Sequence, residues 1–116
     1  MPKHQEVYFK EGCFIEEWLN TPEHQDMSVA RVRVEPNSET RLHCLSNTTE
    51  RYIILSGDAI VNVGEQSWEV SNSDVVVIEA DQAQKIRNTT SSDLIFLAIC
   101  TPRFQIDCYQ DLESDA

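Results

Sequence analysis

The stretch ERYIILSGDAIVNVGEQSWEV, residues 50–70, decides the fold. Apolar, largely β-branched runs at Glu50–Leu55, Ala59–Val63 and Gln66–Val70 are cut by two turn signals, Ser56-Gly57-Asp58 and Gly64-Glu65. Runs this short, punctuated this closely, read as consecutive antiparallel strands and leave no room for helices.

The same rhythm extends in both directions. Upstream, SVARVRVEP alternates Val29, Arg31 and Arg33 with Ala30, Val32 and Val34, then stops at Pro36-Asn37. Further strands are expected at Arg41–Leu45, Val75–Ile78, Gln84–Arg87 and Leu94–Cys100, with turns at Ser71-Asn72-Ser73 and a polar hairpin loop from Asn88 to Ser92. Seven or eight short strands at this spacing predict an all-β sandwich or barrel. No strand–helix–strand alternation occurs, which argues against a parallel-sheet nucleotide-binding fold. The best helix candidate is Gly12–Leu19, with Phe14, Ile15, Trp18 and Leu19 at helical spacing; a strand with a turn fits the same residues.

The 116 residues suit one domain, with a barrel core at about 28–100 and the segments 1–27 and 101–116 packed on it or partly mobile. The acid-rich tail, 107–116, is expected to fray in part. A net charge of -11 argues against nucleic acid, because phosphate binding needs clustered cations. The nearest thing to a cluster is Arg31, Arg33 and Arg41. No apolar run is long enough to span a bilayer, and MPKHQEVYFKEG lacks the apolar core of a secretory signal, so a cytoplasmic location is expected. Cys13, Cys44, Cys100 and Cys108 show no C-x-x-C pairing and are expected to be free thiols.

Two segments carry the information about function. One runs His43-Cys44-Leu45, four residues, Glu50, six residues, Gly57; the other runs Ser73, Glu79, Asp81, Gln84, Asn88. Together they resemble the paired motifs of the cupin superfamily, G-x5-H-x-H-x4-E-x6-G and G-x5-P-x-G-x2-H-x3-N. The compact spacing, fifteen residues between Gly57 and Ser73, is similar to that of small single-domain cupins. The ending Ile99 to Phe104, with Tyr109 after it, looks like that of one-domain cupins loosely termed mannose-6-phosphate isomerase-like. The resemblance implies a cupin double-stranded β-helix, a jelly-roll-like barrel of short antiparallel strands with little helix. It also implies a homodimer, which would cover exposed sheet edges.

Slot by slot, His43 matches the first histidine, Glu50 the glutamate and Asn88 the asparagine, while Leu45 stands at the second histidine and Gln84 at the third. Strand parity places His43 with Leu45, Glu50 with Tyr52, and Gln84 with Ile86 on shared faces. The expected ligand pocket is therefore His43, Leu45, Glu50, Tyr52, Gln84, Ile86, Phe96 and Arg103. Arg103 would clamp a carboxylate or phosphate, or join a dimer contact. Glu79 and Asp81 are expected on the solvated rim. No cofactor is firmly expected. A divalent metal ion would have only His43, Glu50 and Gln84, a donor set weaker than three histidines and a glutamate. Three functions stay open: a binder of a sugar-like or acidic small molecule, an enzyme, or a dimeric scaffold. The enzyme would be a metal-assisted isomerase or dioxygenase, or a metal-free epimerase with His43 as base, tuned by Glu50. A plain polar cluster, with Glu50 paired to Arg41 or Arg51, also fits these residues.

Overall fold

The computed structural model describes residues 5–113. Eleven strands follow one another: β1 (Glu6–Phe9), β2 (Cys13–Leu19), β3 (Ser28–Val34), β4 (His43–Leu45), β5 (Thr49–Ser56), β6 (Ala59–Val63), β7 (Gln66–Val70), β8 (Val75–Ile78), β9 (Gln84–Asn88), β10 (Leu94–Thr101) and β11 (Tyr109–Asp111). A single 3-10 turn, Ile106–Cys108, is the only helical element among the described residues. All pairings are antiparallel. One sheet runs β1-β2-β3-β10-β5-β8 and the other β11-β4-β9-β6-β7. This is the expected cupin barrel, two sheets curled face to face.

Alternation builds the core. Val32, Val34, Tyr52, Ile54, Val76, Ile78 and Phe96 point inward from the first sheet and meet Val61, Val63 and Ile86 from the second. Asn88, fully buried, ties the sheets to their loops: its amide donates to the carbonyls of Val34 (3.0 Å) and Ser92 (2.7 Å). Gly57 turns β5 into β6 at φ +101°, where a Cβ would come within 3.2 Å of the Asp93 carbonyl oxygen.

The structure resolves the Gly12–Leu19 alternative as strand. β2 pairs with β1 on one side and β3 on the other. Both its faces carry apolar residues, which is why the spacing imitates a helix. Ile15 points inward, while Phe14 lies outside under the Arg33 guanidinium, 4.3 Å from the ring centroid. Within the tail, Tyr109–Asp111 pairs with His43–Leu45, and residues 114–116 lie outside the described part. The three clustered arginines are spent on acids, Arg31 and Arg33 on Glu6 and Arg41 on Asp111.

The outer face of the first sheet carries an apolar stripe flanked by Arg31, Arg33 and Arg51. Ile95, Leu97 and Ile99 alternate outward along β10 and are half-buried, while Val75 and Val77 on the edge strand β8 are 58% and 49% exposed.

Candidate functional site

A cavity of about 180 Å³ opens inside the first sheet. Its position follows from side-chain size. Ala30 and Ala98 are direct cross-strand partners, and Tyr52 pairs with Ala98 from the other side. One step along the same inward face, Val32 pairs with Phe96 and fills the barrel. Two alanines where the neighbouring pair is valine and phenylalanine leave the space. Ser28, Leu45, Phe96 and Cys100 complete the wall around Glu50 and Tyr52, and the β1–β2 hairpin covers it with Val7, Phe9, Glu11 and Ile15.

Leu45, Glu50, Tyr52 and Phe96 thus face the cavity. His43, Gln84 and Ile86 are buried beside it but do not line it. Arg103 stands apart, which corrects its assignment to the pocket. It borders a shallower surface hollow with Ser46 and Asp107, and its guanidinium donates to Asn20 Oδ1 at 2.8 Å. Glu50 lacks the arginine partner considered for it. Arg51 donates to Thr101 instead, and Glu50 Oε1 is buried with no hydrogen-bond partner.

Glu11 is the residue sequence reasoning missed. It sits in the β1–β2 turn before Gly12 (φ +102°) and faces both the cavity and His43. Only the pairing of β1 with β2 brings it there; a lone glutamate before a glycine carries no such signal.

Hydrogen-bond directions fix what these groups do. His43 Nδ1 lies 2.6 Å from the Arg41 carbonyl oxygen, which can only accept, so Nδ1 carries a hydrogen. Nε2 lies 3.2 Å from Glu11 Oε1. Burial lowers the His43 pKa, opposed by the Arg41 carbonyl and the charges of Asp111 and Glu113. Burial pushes the Glu11 carboxyl up to about 8, reinforced by Glu50 and opposed by the Cys13 thiol. Burial thus favours the neutral forms of both groups, an imidazole and a carboxylic acid, with Nε2 facing Glu11 Oε1. Burial likewise pushes Glu50 up to about 7, opposed by the nearby Gln84 amide, whose Nε2 makes no hydrogen bond itself, and by the Cys100 thiol. Tyr52 donates its hydroxyl to Gln84 Oε1, and burial raises its own pKa.

These contacts bear on a metal. Gln84 Oε1 already accepts from Tyr52, His43 Nε2 faces the Glu11 carboxyl at 3.2 Å, and Leu45 offers no donor. Among the described residues no group of three His, Cys, Asp or Glu side chains is placed to hold an ion. The residues present do not fit a divalent metal in the cupin position.

Comparison with known proteins places the fold. The oxalate-binding protein of Thermotoga maritima is 30% identical over 70 residues, covering 60% of this chain and 58% of that protein. The chain thus spans less than two thirds of the length of that curated relative. The oxalate decarboxylase of Lactobacillus farciminis, solved as a formate complex, superposes with a TM-score of 0.81 at 21% identity, over 94% of this chain and 33% of that one. KdgF from a Halomonas species superposes with a TM-score of 0.78 at 14% identity, over 90% and 91%. The family model for the cupin domain matches residues 30–100, and the chain belongs to that family.

Proposed function

We propose that this protein is a small-molecule-binding cupin that works without a metal and takes its ligand in the cavity between the β1–β2 hairpin and Glu50. One observation carries the reading: Glu50 Oε1 is the unpartnered buried side-chain atom on an otherwise largely apolar wall. A buried acceptor without a partner costs stability, and a bound donor recovers it. The likeness to an oxalate-binding protein supports a small ligand, but the wall does not support an acid as that ligand. No described arginine, lysine or histidine lines the cavity, and Arg103 is directed elsewhere.

The test is ligand-observed NMR and native mass spectrometry on tag-free protein, using indole as a compact apolar donor. Binding to the wild type and loss of binding in Ala98→Leu, which fills the cavity, support the reading. Equal binding by both proteins contradicts it.

An acid–base enzyme is the second reading, favoured by the position of Glu50 near pH 7. In that case Glu50 exchanges the proton, and not His43, whose ring nitrogens face the Arg41 carbonyl and Glu11 and which does not itself line the cavity. A homodimer is part of the proposal. The outward stripe of Ile95, Leu97 and Ile99, continued by Val75 and Val77, supports its formation through the outer face of the first sheet. Four free cysteines, three of them buried, support a reducing compartment such as the cytoplasm.

A further inference from the structure

We propose that the ligand is a primary amine in its ammonium form, carrying an apolar body about the size of a benzyl group, with its ammonium group on Glu50. The inference rests on the binding reading above and names the ligand class for that same cavity.

Size comes first. An apolar cavity of about 150 Å³ holds a benzene ring, and this one measures about 180 Å³. Phe9, Phe96 and Phe104 supply aromatic wall for such a body.

Charge comes second. Three carboxyl groups, Glu11, Glu17 and Glu50, line the cavity, and no described basic side chain does. An anion would find no cation there to pair it.

Hydrogen-bonding capacity decides between a cation and a neutral ligand. Three donors in and beside the wall are engaged internally, while the buried Gln84 Nε2 beside it has no partner. The Tyr52 hydroxyl is on Gln84, the Cys13 thiol on Glu11 at 3.6 Å, and the Cys100 thiol on Glu50 Oε2 at 3.7 Å. What the wall leaves free is an acceptor, Glu50 Oε1. An ammonium group brings donors for Glu50 Oε1 and no acceptor, together with a positive charge that favours the ionised form of Glu50. An alcohol brings one donor and no charge.

An isosteric series tests this: benzylamine, benzyl alcohol and benzoate, titrated calorimetrically into wild-type protein and into Glu50→Gln. Benzylamine is expected to bind the wild type at least tenfold more tightly than benzyl alcohol, with benzoate undetectable. In Glu50→Gln the amine preference should fall to within about twofold while benzyl alcohol still binds, which also shows that the variant is folded. Benzyl alcohol or benzoate binding as tightly as the amine overturns the amine assignment alone. Failure of all three, and of indole, to bind the wild type overturns the cavity reading beneath it.

Discussion

Strands β3, β5 and β10 run side by side, and their inward faces have two ends of opposite character. At one end Val34, Ile54 and Leu94 are fully buried and packed against the second sheet. At the other, Ser28, Ala30, Glu50, Ala98 and Cys100 surround space. Parity and neighbours are the same; only side-chain size and polarity differ. A cupin barrel in this chain is thus a closed core and an open site built on the same three strands, and the site costs stability that the core supplies.

Substitutions at the two ends should separate sharply. Ile54→Ala opens a hole in the closed end and should cost roughly 2–5 kcal/mol by urea denaturation. Ala98→Leu at the open end fills existing space, so its cost should stay below roughly 1.5 kcal/mol. A large loss from Ala98→Leu would mean that the space is not free.

The pH dependence comes next in size, and it arises only from the open end. Glu11 and Glu50 have folded pKa values near 8 and 7, above their ordinary 4.5, so the folded state holds more protons and stability falls as pH rises through that range. His43 acts in the opposite direction, because its pKa is lowered, but only below its ordinary 6.5. The decline should therefore be cleanest between about pH 6.5 and 8, as a falling melting temperature, and should flatten in Glu11→Gln/Glu50→Gln. A wild-type melting temperature that rises across that window would contradict buried carboxyl groups.

The barrel was legible because its signals are local. The strands at Ala59–Val63, Gln66–Val70 and Val75–Ile78 follow from alternation between turn residues, and the structure keeps those bounds. The site was legible only where the motif register places residues on β4 and β5. Glu50 and Leu45 could be found that way. Glu11 could not, because it reaches the cavity through a hairpin whose second strand imitates a helix. Arg103 illustrates the converse: a charge next to a familiar ending suggests a clamp, yet the chain turns it toward Asn20. The Ala30 and Ala98 pair was readable in principle, as small residues at inward positions of two β-rich strands.

A smaller effect concerns the outer face. Leu97→Glu leaves the cavity intact and should convert a dimer to a monomer in size-exclusion chromatography with light scattering, with a change in unfolding free energy of about 1 kcal/mol or less in the monomer. A wild type that is monomeric at all concentrations would remove the dimer from the account.

The central claim is that His43 Nε2 faces the Glu11 carboxyl and not a metal. The most direct measurement is the imidazole 15N–1H correlation spectrum of His43 at pH 7, before and after one equivalent of zinc. The account predicts a neutral ring with its hydrogen on Nδ1, accepting at Nε2, and no change on adding zinc. A stoichiometric zinc-induced shift of the Nε2 resonance, absent in Glu50→Gln, would contradict it.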